Sequence, residues 1–172
     1  WVFGYASLMW NPGFPVSETR PGTLRGSHRS FCMSSIHHRG TEDSPGLVLA
    51  LDPVDDGECR GLALRVPDEA ADDAVGYLRE RELISSAYVE RLVPVDLGDQ
   101  TVTALTYVVD TSHVQYVAGM PLEDQAQIIA RAVGGRGPNT EYLWNTVAHL
   151  EELGVRDEEL FWLSQRVRTL AK

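Results

Sequence analysis

Val2-Phe3-Gly4-Tyr5-Ala6-Ser7-Leu8, running into Met9-Trp10-Asn11-Pro12, is the stretch on which the reading of this chain turns. A short apolar run breaks into small residues at Ala6 and Ser7 and soon meets Pro12, the pattern of a buried strand ending in a tight loop. Such a loop presents backbone N–H groups, and the small side chains of Ala6 and Ser7 let a ligand come close to them. Successive N–H groups aimed into one concavity bind an anion such as a carboxylate. An ordinary first strand and turn is the competing account, since Gly and Ser are common turn residues at strand ends.

Outward from this stretch, 172 residues, 43% hydrophobic and 23% charged, fit one globular domain over 1–172 with a sizeable core. No segment has linker composition, no apolar run is long enough to span a bilayer, and the N-terminus lacks a signal peptide's basic flank and apolar core. The chain reads as cytoplasmic, and its start at Trp1 instead of Met reads as trimming. Cys32 and Cys59 lack CxxC spacing and are expected as reduced, buried thiols. A net charge of −10 argues against nucleic acid as a partner, because duplex binding needs a basic face to displace counterions. Residues 1–40 nevertheless carry +3, from Arg20, Arg25, Arg29 and Arg39 against Glu18. A basic region in an acidic chain points to a small anionic ligand; a surface excess screened by salt is the alternative.

Thr23-Leu24-Arg25 and Arg29 to Ser34 read as short strands separated by a turn at Gly26. The polar segment from Ser35 to Gly46 is rich in turn formers and reads as a loop of functional length. Its adjacent His37 and His38 point to opposite sides of an extended chain, and no further ligand completes a set, so no metal is expected. Gly46 to Asp52 and Cys59 to Val66 read as the two strands of a hairpin turning at Asp55-Asp56-Gly57. A second hairpin is expected from Tyr88–Val93 and Thr101–Val109, making the sheet largely antiparallel.

A helix is expected after Pro67, with Asp68 as N-cap and Glu69, Asp72 and Asp73 near the positive end of its dipole. At about 100° per residue, Ala71, Val75 and Leu78 share a stripe that Glu82 continues, whereas Glu80 projects from the opposite side. A carboxylate on an apolar face costs free energy unless partnered, which makes Glu82 a candidate for a tuned proton acceptor. The alternatives are a stripe fraying into solvent at the helix end, or a salt bridge to Arg79, Arg81 or another arginine. Three more helices follow: one opened by Pro121, with Leu122, Gln125, Ile129 and Val133 on one side; one capped by Asn139 or Thr140; and one starting at Asp157 with Leu160, Leu163, Val167 and Leu170 inward. Gly134-Gly135-Arg136-Gly137 lacks the Lys-Ser/Thr ending of a phosphate loop and reads as a loop positioning Asn139 and Tyr142.

Four of these segments, in order, resemble the ChaC-type γ-glutamylcyclotransferases, enzymes that cleave glutathione. Val2-Phe3-Gly4-Tyr5-Ala6-Ser7-Leu8-Met9-Trp10 is similar to the family's opening motif, with Ala6 standing where the family usually carries Gly. His38-Arg39-Gly40 with Pro45-Gly46 resembles its Arg-Gly loop, Tyr77-Leu78-Arg79-Glu80-Arg81-Glu82 with Tyr88 its Tyr-Leu-x-x-Arg-Glu segment and following Tyr, and Asn139-Thr140-Glu141-Tyr142-Leu143 its late motif. The resemblance implies an α+β fold, a mixed, largely antiparallel, barrel-like sheet with flanking helices. It implies that Glu82 is the catalytic acid/base and that the loop formed by Val2, Phe3, Gly4, Tyr5, Ala6, Ser7 and Leu8 holds the glutamyl end of glutathione. Arg39 and Tyr142 are assigned by loop position to the cysteinylglycine end. The implied reaction closes the glutamyl moiety into 5-oxoproline, and needs neither cofactor nor metal because the nucleophile is the substrate's own amine. Three other readings stand beside it: a non-catalytic γ-glutamyl-binding protein of the same fold, a cyclotransferase for other γ-glutamyl compounds, and a serine hydrolase built on Ser7 and His38. The last lacks the G-x-S-x-G form.

Overall fold

Five strands close into a barrel in the order β1, β3, β2, β4, β5, where β1 is Val2–Gly4, β2 Glu18–Ser35, β3 Gly46–Arg65, β4 Tyr88–Asp96 and β5 Thr101–Val109. This computed structural model describes residues 1–172. They form two units, Trp1–Arg29 with Leu51–His113 and Ser30–Ala50 with Val114–Lys172.

In the first unit β1 is antiparallel to β3, with Phe3 opposite Ala63, and parallel to β5, with Val2 opposite Leu105. β4 and β5 form the expected hairpin, from Tyr88 opposite Val109 to Asp96 opposite Thr101, and Thr23 of β2 is antiparallel to Asp96. The sheet is thus mixed and largely antiparallel. Lying between two partners, β1 is buried at all three positions, which accounts for its unbroken apolar run. Phe3 and Tyr5 join Leu24, Leu51, Cys59, Ala63, Val95 and Ala104 in one core cluster.

The hairpin expected at Asp55-Asp56-Gly57 does not form, and Gly46–Arg65 is one strand of 20 residues. A tight Asp-Gly hairpin turn requires positive φ at both central residues, and neither Asp56 nor Gly57 has it. The two strands expected on either side of Gly26 are likewise one, of 18 residues. Gly26 takes φ 81°, so the chain bends there without leaving the ladder. Helix α1 (Ala71–Glu82) follows a 3-10 turn at Asp68–Ala70, so Asp68 is not its cap, and no side chain caps it. Asp72 and Asp73 do lie in its first turn.

The second unit holds the segments Ser30–Ser35 and Gly46–Ala50 of β2 and β3, then α2 (Leu122–Arg131), the ribbon β6 (Val133–Gly134) and β7 (Gly137–Pro138), α3 (Asn139–Glu152) and α4 (Glu158–Leu170). Helices α2, α3 and α4 pack on one another, and Ala126, Ile129, Leu143, Leu150, Leu160, Leu163 and Val167 are all buried. Asp157, read from sequence as the start of the last helix, is instead the cap just before α4, its carboxylate accepting from Leu160 N–H at 3.1 Å. Val133, expected on the α2 stripe, is 55% exposed in β6, because the helix ends at Arg131 and Ala132 is extended.

Asn139 is not a cap either. Fully buried at the first position of α3, its side chain accepts from Leu47 N–H at 2.7 Å and donates to Leu47 C=O at 2.8 Å, and so occupies both polar groups of one β3 residue. The approach of backbones here explains the neighbouring glycines. A Cβ on Gly40 would lie 2.0 Å from Gly46 N, and one on Gly134 2.4 Å from Gly40 N. No helix is long and apolar enough to cross a membrane.

Candidate active site

Glu82 is the last residue of α1. Leu78 and Ala74 are buried on the stripe it continues, and its own side chain is only 19% exposed, while Glu80 faces solvent. The stripe therefore does not fray into water at this point. Burial raises the Glu82 carboxyl above the ordinary carboxylate range, and Arg81, whose Nε stands 3.4 Å from Oε1, opposes that shift. Burial wins. A carboxylate so placed holds its proton more tightly than one in water, yet can still ionise beside a cation.

The segment following β1 is a 3-10 turn, Ser7–Met9, in the same unit. Met9 N–H donates to Ala6 C=O at 2.9 Å, and Trp10 and Asn11 N–H donate to Ser7 C=O at 3.3 and 2.8 Å. The N–H groups of Ser7 and Leu8, at the open end of the turn, make no such bond, as the first donors of any helical turn do not. From the other side, the buried Arg29 donates from Nε to Tyr5 C=O at 2.5 Å and from Nη2 to Arg60 C=O. The turn and the end of α1 are joined by Arg81. Its Nη2 donates to Ser7 Oγ at 2.8 Å, and its Nη1 to Asn11 C=O at 2.7 Å and to Tyr77 Oη at 3.3 Å.

Behind Glu82 lies a second set of groups. Arg79 donates from Nε and Nη2 to the two oxygens of Glu90, both at 2.9 Å, and the buried Tyr107 hydroxyl donates to Glu90 Oε2 at 3.0 Å. The Arg79 hydrogen bonds hold Glu90 below its usual pKa, and burial, then Glu90, push the Tyr107 hydroxyl up. The Glu82 charge contributes to the same rise at Tyr107. The sequence identifies Arg81 only as an ion-pair partner and Arg29 only as part of a basic region, and gives Glu90 and Tyr107 no role. For Arg81 the signal was its adjacency to Glu82. For Glu90 and Tyr107 there was none, because they meet through the register of β4 and β5.

Val2 to Leu8 and Glu82 belong to the first unit, Arg39 and Tyr142 to the second. There Arg39 Nη1 donates to Pro138 C=O at 3.1 Å and its guanidinium lies 5.5 Å from the Tyr142 ring centre, while the Tyr142 hydroxyl accepts from Leu49 N–H at 3.3 Å. The four arginines of residues 1–40 do not make a patch. Arg20 pairs with Asp99 at 2.6 Å, Arg25 faces Glu58 at 3.6 Å, Arg29 is buried against carbonyls, and Arg39 packs on Tyr142. Ser7 sits in a 3-10 turn with its hydroxyl oxygen bound by a guanidinium, not at a strand-to-helix elbow.

The ChaC-like protein family profile matches residues 1–170. The glutathione-specific gamma-glutamylcyclotransferase of Escherichia coli (strain K12) is 37% identical over 171 residues, covering 99% of this chain and 73% of that protein. Gamma-glutamylcyclotransferase 2-3 of Arabidopsis thaliana is 35% identical, covering 98% and 88%, and the human glutathione-specific gamma-glutamylcyclotransferase 1 is 34% identical, covering 99% and 79%. A crystal structure of a yeast gamma-glutamyl cyclotransferase specific to glutathione superposes with a TM-score of 0.87 at 24% identity, covering 100% of this chain and 99% of that one. That likeness speaks for the fold.

Proposed function

The chain belongs to the ChaC-like family, and from that premise we propose that it is a γ-glutamylcyclotransferase, a lyase that cleaves glutathione into 5-oxoproline and cysteinylglycine. The observation that carries the reading is Glu82, a carboxylate withdrawn from water at the end of α1 and tied through Arg81 to the turn after β1. In the reaction the α-amine of the glutamyl group attacks its own γ-carbonyl carbon, the amide C–N bond breaks, and a five-membered ring leaves cysteinylglycine as an amine. An ammonium is not a nucleophile. Glu82 takes its proton and returns one to the departing nitrogen, a contribution of about 10²- to 10⁴-fold in rate. The reacting atoms share one molecule, so holding the substrate folded supplies much of the rest. Backbone N–H groups of the Tyr5 to Leu8 turn hold the α-carboxylate. The whole chain acts as one such domain, in keeping with the span of the family match. A cytoplasmic setting fits its two buried cysteines, which are not joined in a disulfide.

Because the base must be ionised, kcat/KM for glutathione should rise with pH along a limb lying above the ordinary carboxylate value of about 4.3. The sign follows from burial, which raises Glu82. A limb at or below that value would contradict the assignment.

Ala6 has φ −143° and ψ −126°, so it does not take the left-handed φ that would itself call for glycine. Ala6→Gly should keep or improve kcat/KM for glutathione, and a clear loss in steady-state kinetics would show that the turn is built around Ala.

Incubating the purified protein with glutathione and measuring 5-oxoproline tests the function. Parallel reactions with γ-glutamyl amino acids and γ-glutamylamines test the substrate class. Glutathione should be turned over in clear preference; binding without turnover would instead mark a non-catalytic γ-glutamyl-binding protein.

A further inference from the structure

We infer that Arg81 is a positioning residue whose single guanidinium fixes the Glu82 carboxylate against the turn that follows β1, so that proton acceptor and substrate-binding backbone are held as one rigid piece. The inference rests on the reading of Glu82 as general base, and adds what sets that base's place and charge.

Three observations carry it. All three guanidinium nitrogens are engaged: Nη2 with Ser7 Oγ at 2.8 Å, Nη1 with Asn11 C=O at 2.7 Å, and Nε 3.4 Å from Glu82 Oε1. The Arg81 side chain is only 20% exposed and its contacts reach more than 70 positions along the chain, from Arg81 to Ser7. A planar fork can hold three partners in one geometry, which a lysine ammonium on a flexible stem cannot. Finally, the last turn of α1 is closed by its own backbone, Leu83 N–H donating to Arg79 C=O at 3.0 Å, so the Arg81 guanidinium is not used to close it.

Charge gives Arg81 its second effect. Burial disfavours the ionised Glu82, and Arg81 is the cation that counters it. From β5 the Tyr107 hydroxyl also feels the Glu82 charge, and behind it stand Glu90 of β4 and Arg79 of α1, which pair with each other. Removing the Arg81 charge therefore leaves Glu82 harder to ionise, and the ascending limb of the pH profile moves to higher pH.

The test compares Arg81→Gln and Arg81→Lys with the parent by kcat and KM for glutathione across pH, with thermal melts. Arg81→Gln should lose at least about 10-fold in kcat/KM, since small misplacements of catalytic groups cost up to about 10²-fold, and its limb should shift upward. Arg81→Lys should return the limb toward the parental pH while retaining most of the loss in kcat. A purely structural arginine would lower the melting temperature without moving the limb, so a folded Arg81→Gln with the parental limb overturns the inference. If Arg81→Gln does not fold, Arg81→Lys decides: reduced kcat with a parental limb supports the inference, and parental kcat overturns it. Glu82→Gln run alongside separates the two layers. If that variant turns over normally, the general-base reading itself fails; if it is inactive while the Arg81 variants behave as parent, only the positioning role fails.

Discussion

Glu82→Gln is expected to lower kcat for 5-oxoproline release by at least about 100-fold, with the protein folded and glutathione still bound. The amide keeps the shape and can still hydrogen-bond the substrate, but it cannot accept the ammonium proton. Glu80→Gln, two residues away and facing solvent, should stay within about 0.5 kcal/mol of parent in stability and keep its activity. The stability of Glu82→Gln carries its own sign. Because burial raises the Glu82 pKa, the folded chain binds this proton more tightly than the unfolded chain, and stability falls as pH rises from the unfolded value through the folded one. Above that window the parent carries a buried charge that the variant lacks. Glu82→Gln should therefore melt no lower than the parent at neutral pH, an exchange of activity for stability expected of a residue kept for chemistry. An inactive variant that also melts far below parent would point to a structural glutamate, and an inactive Glu80→Gln would place the base elsewhere.

The largest effect on stability is expected at Asn139. Replacing it with Ala strips the partners from the buried N–H and C=O of Leu47, and each unsatisfied group costs about 1–3 kcal/mol. The sum, about 2–6 kcal/mol, is a large part of the net stability of a domain, about 5–15 kcal/mol. At about 2–4 °C per kcal/mol for this size, the melting temperature should drop by roughly 4–24 °C. Asn139→Asp keeps the volume but sets a carboxylate oxygen against the Leu47 carbonyl, so it should not rescue. Amide exchange at Leu47 gives the local readout: loss of protection there is expected in Asn139→Ala, and unchanged protection would show that the clamp is dispensable.

What could be read without coordinates was local in sequence. The Glu82 stripe follows from a helical period over a dozen residues, the β4–β5 hairpin from two adjacent strands, and the start of α4, within one residue, from the apolar period that begins at Asp157. What could not be read was non-local. Asn139 looks like a helix cap to its neighbours, and only a partner 92 positions away makes it a clamp on β3. Gly26 and Gly57 both resemble turn punctuation, yet long ladders carry the chain through both, Gly26 with positive φ and Gly57 without. The basic character of residues 1–40 dissolved in the same way, because each arginine's partner is set by folding. The site follows this division. Glu82 could be proposed from periodicity, whereas the Arg81 fork and the Glu90–Tyr107 pair depend on elements brought together by the barrel.

The claim at the centre of the account is that the substrate supplies its own nucleophile, with Glu82 moving the proton. Turnover of glutathione in water enriched in oxygen-18, read by mass spectrometry, tests it most directly. Cyclisation should give 5-oxoproline and cysteinylglycine in equal amounts, with no solvent oxygen in the 5-oxoproline. Glutamate carrying one solvent oxygen as the first product would mean that water or an enzyme nucleophile attacks the γ-carbonyl, and would contradict the account.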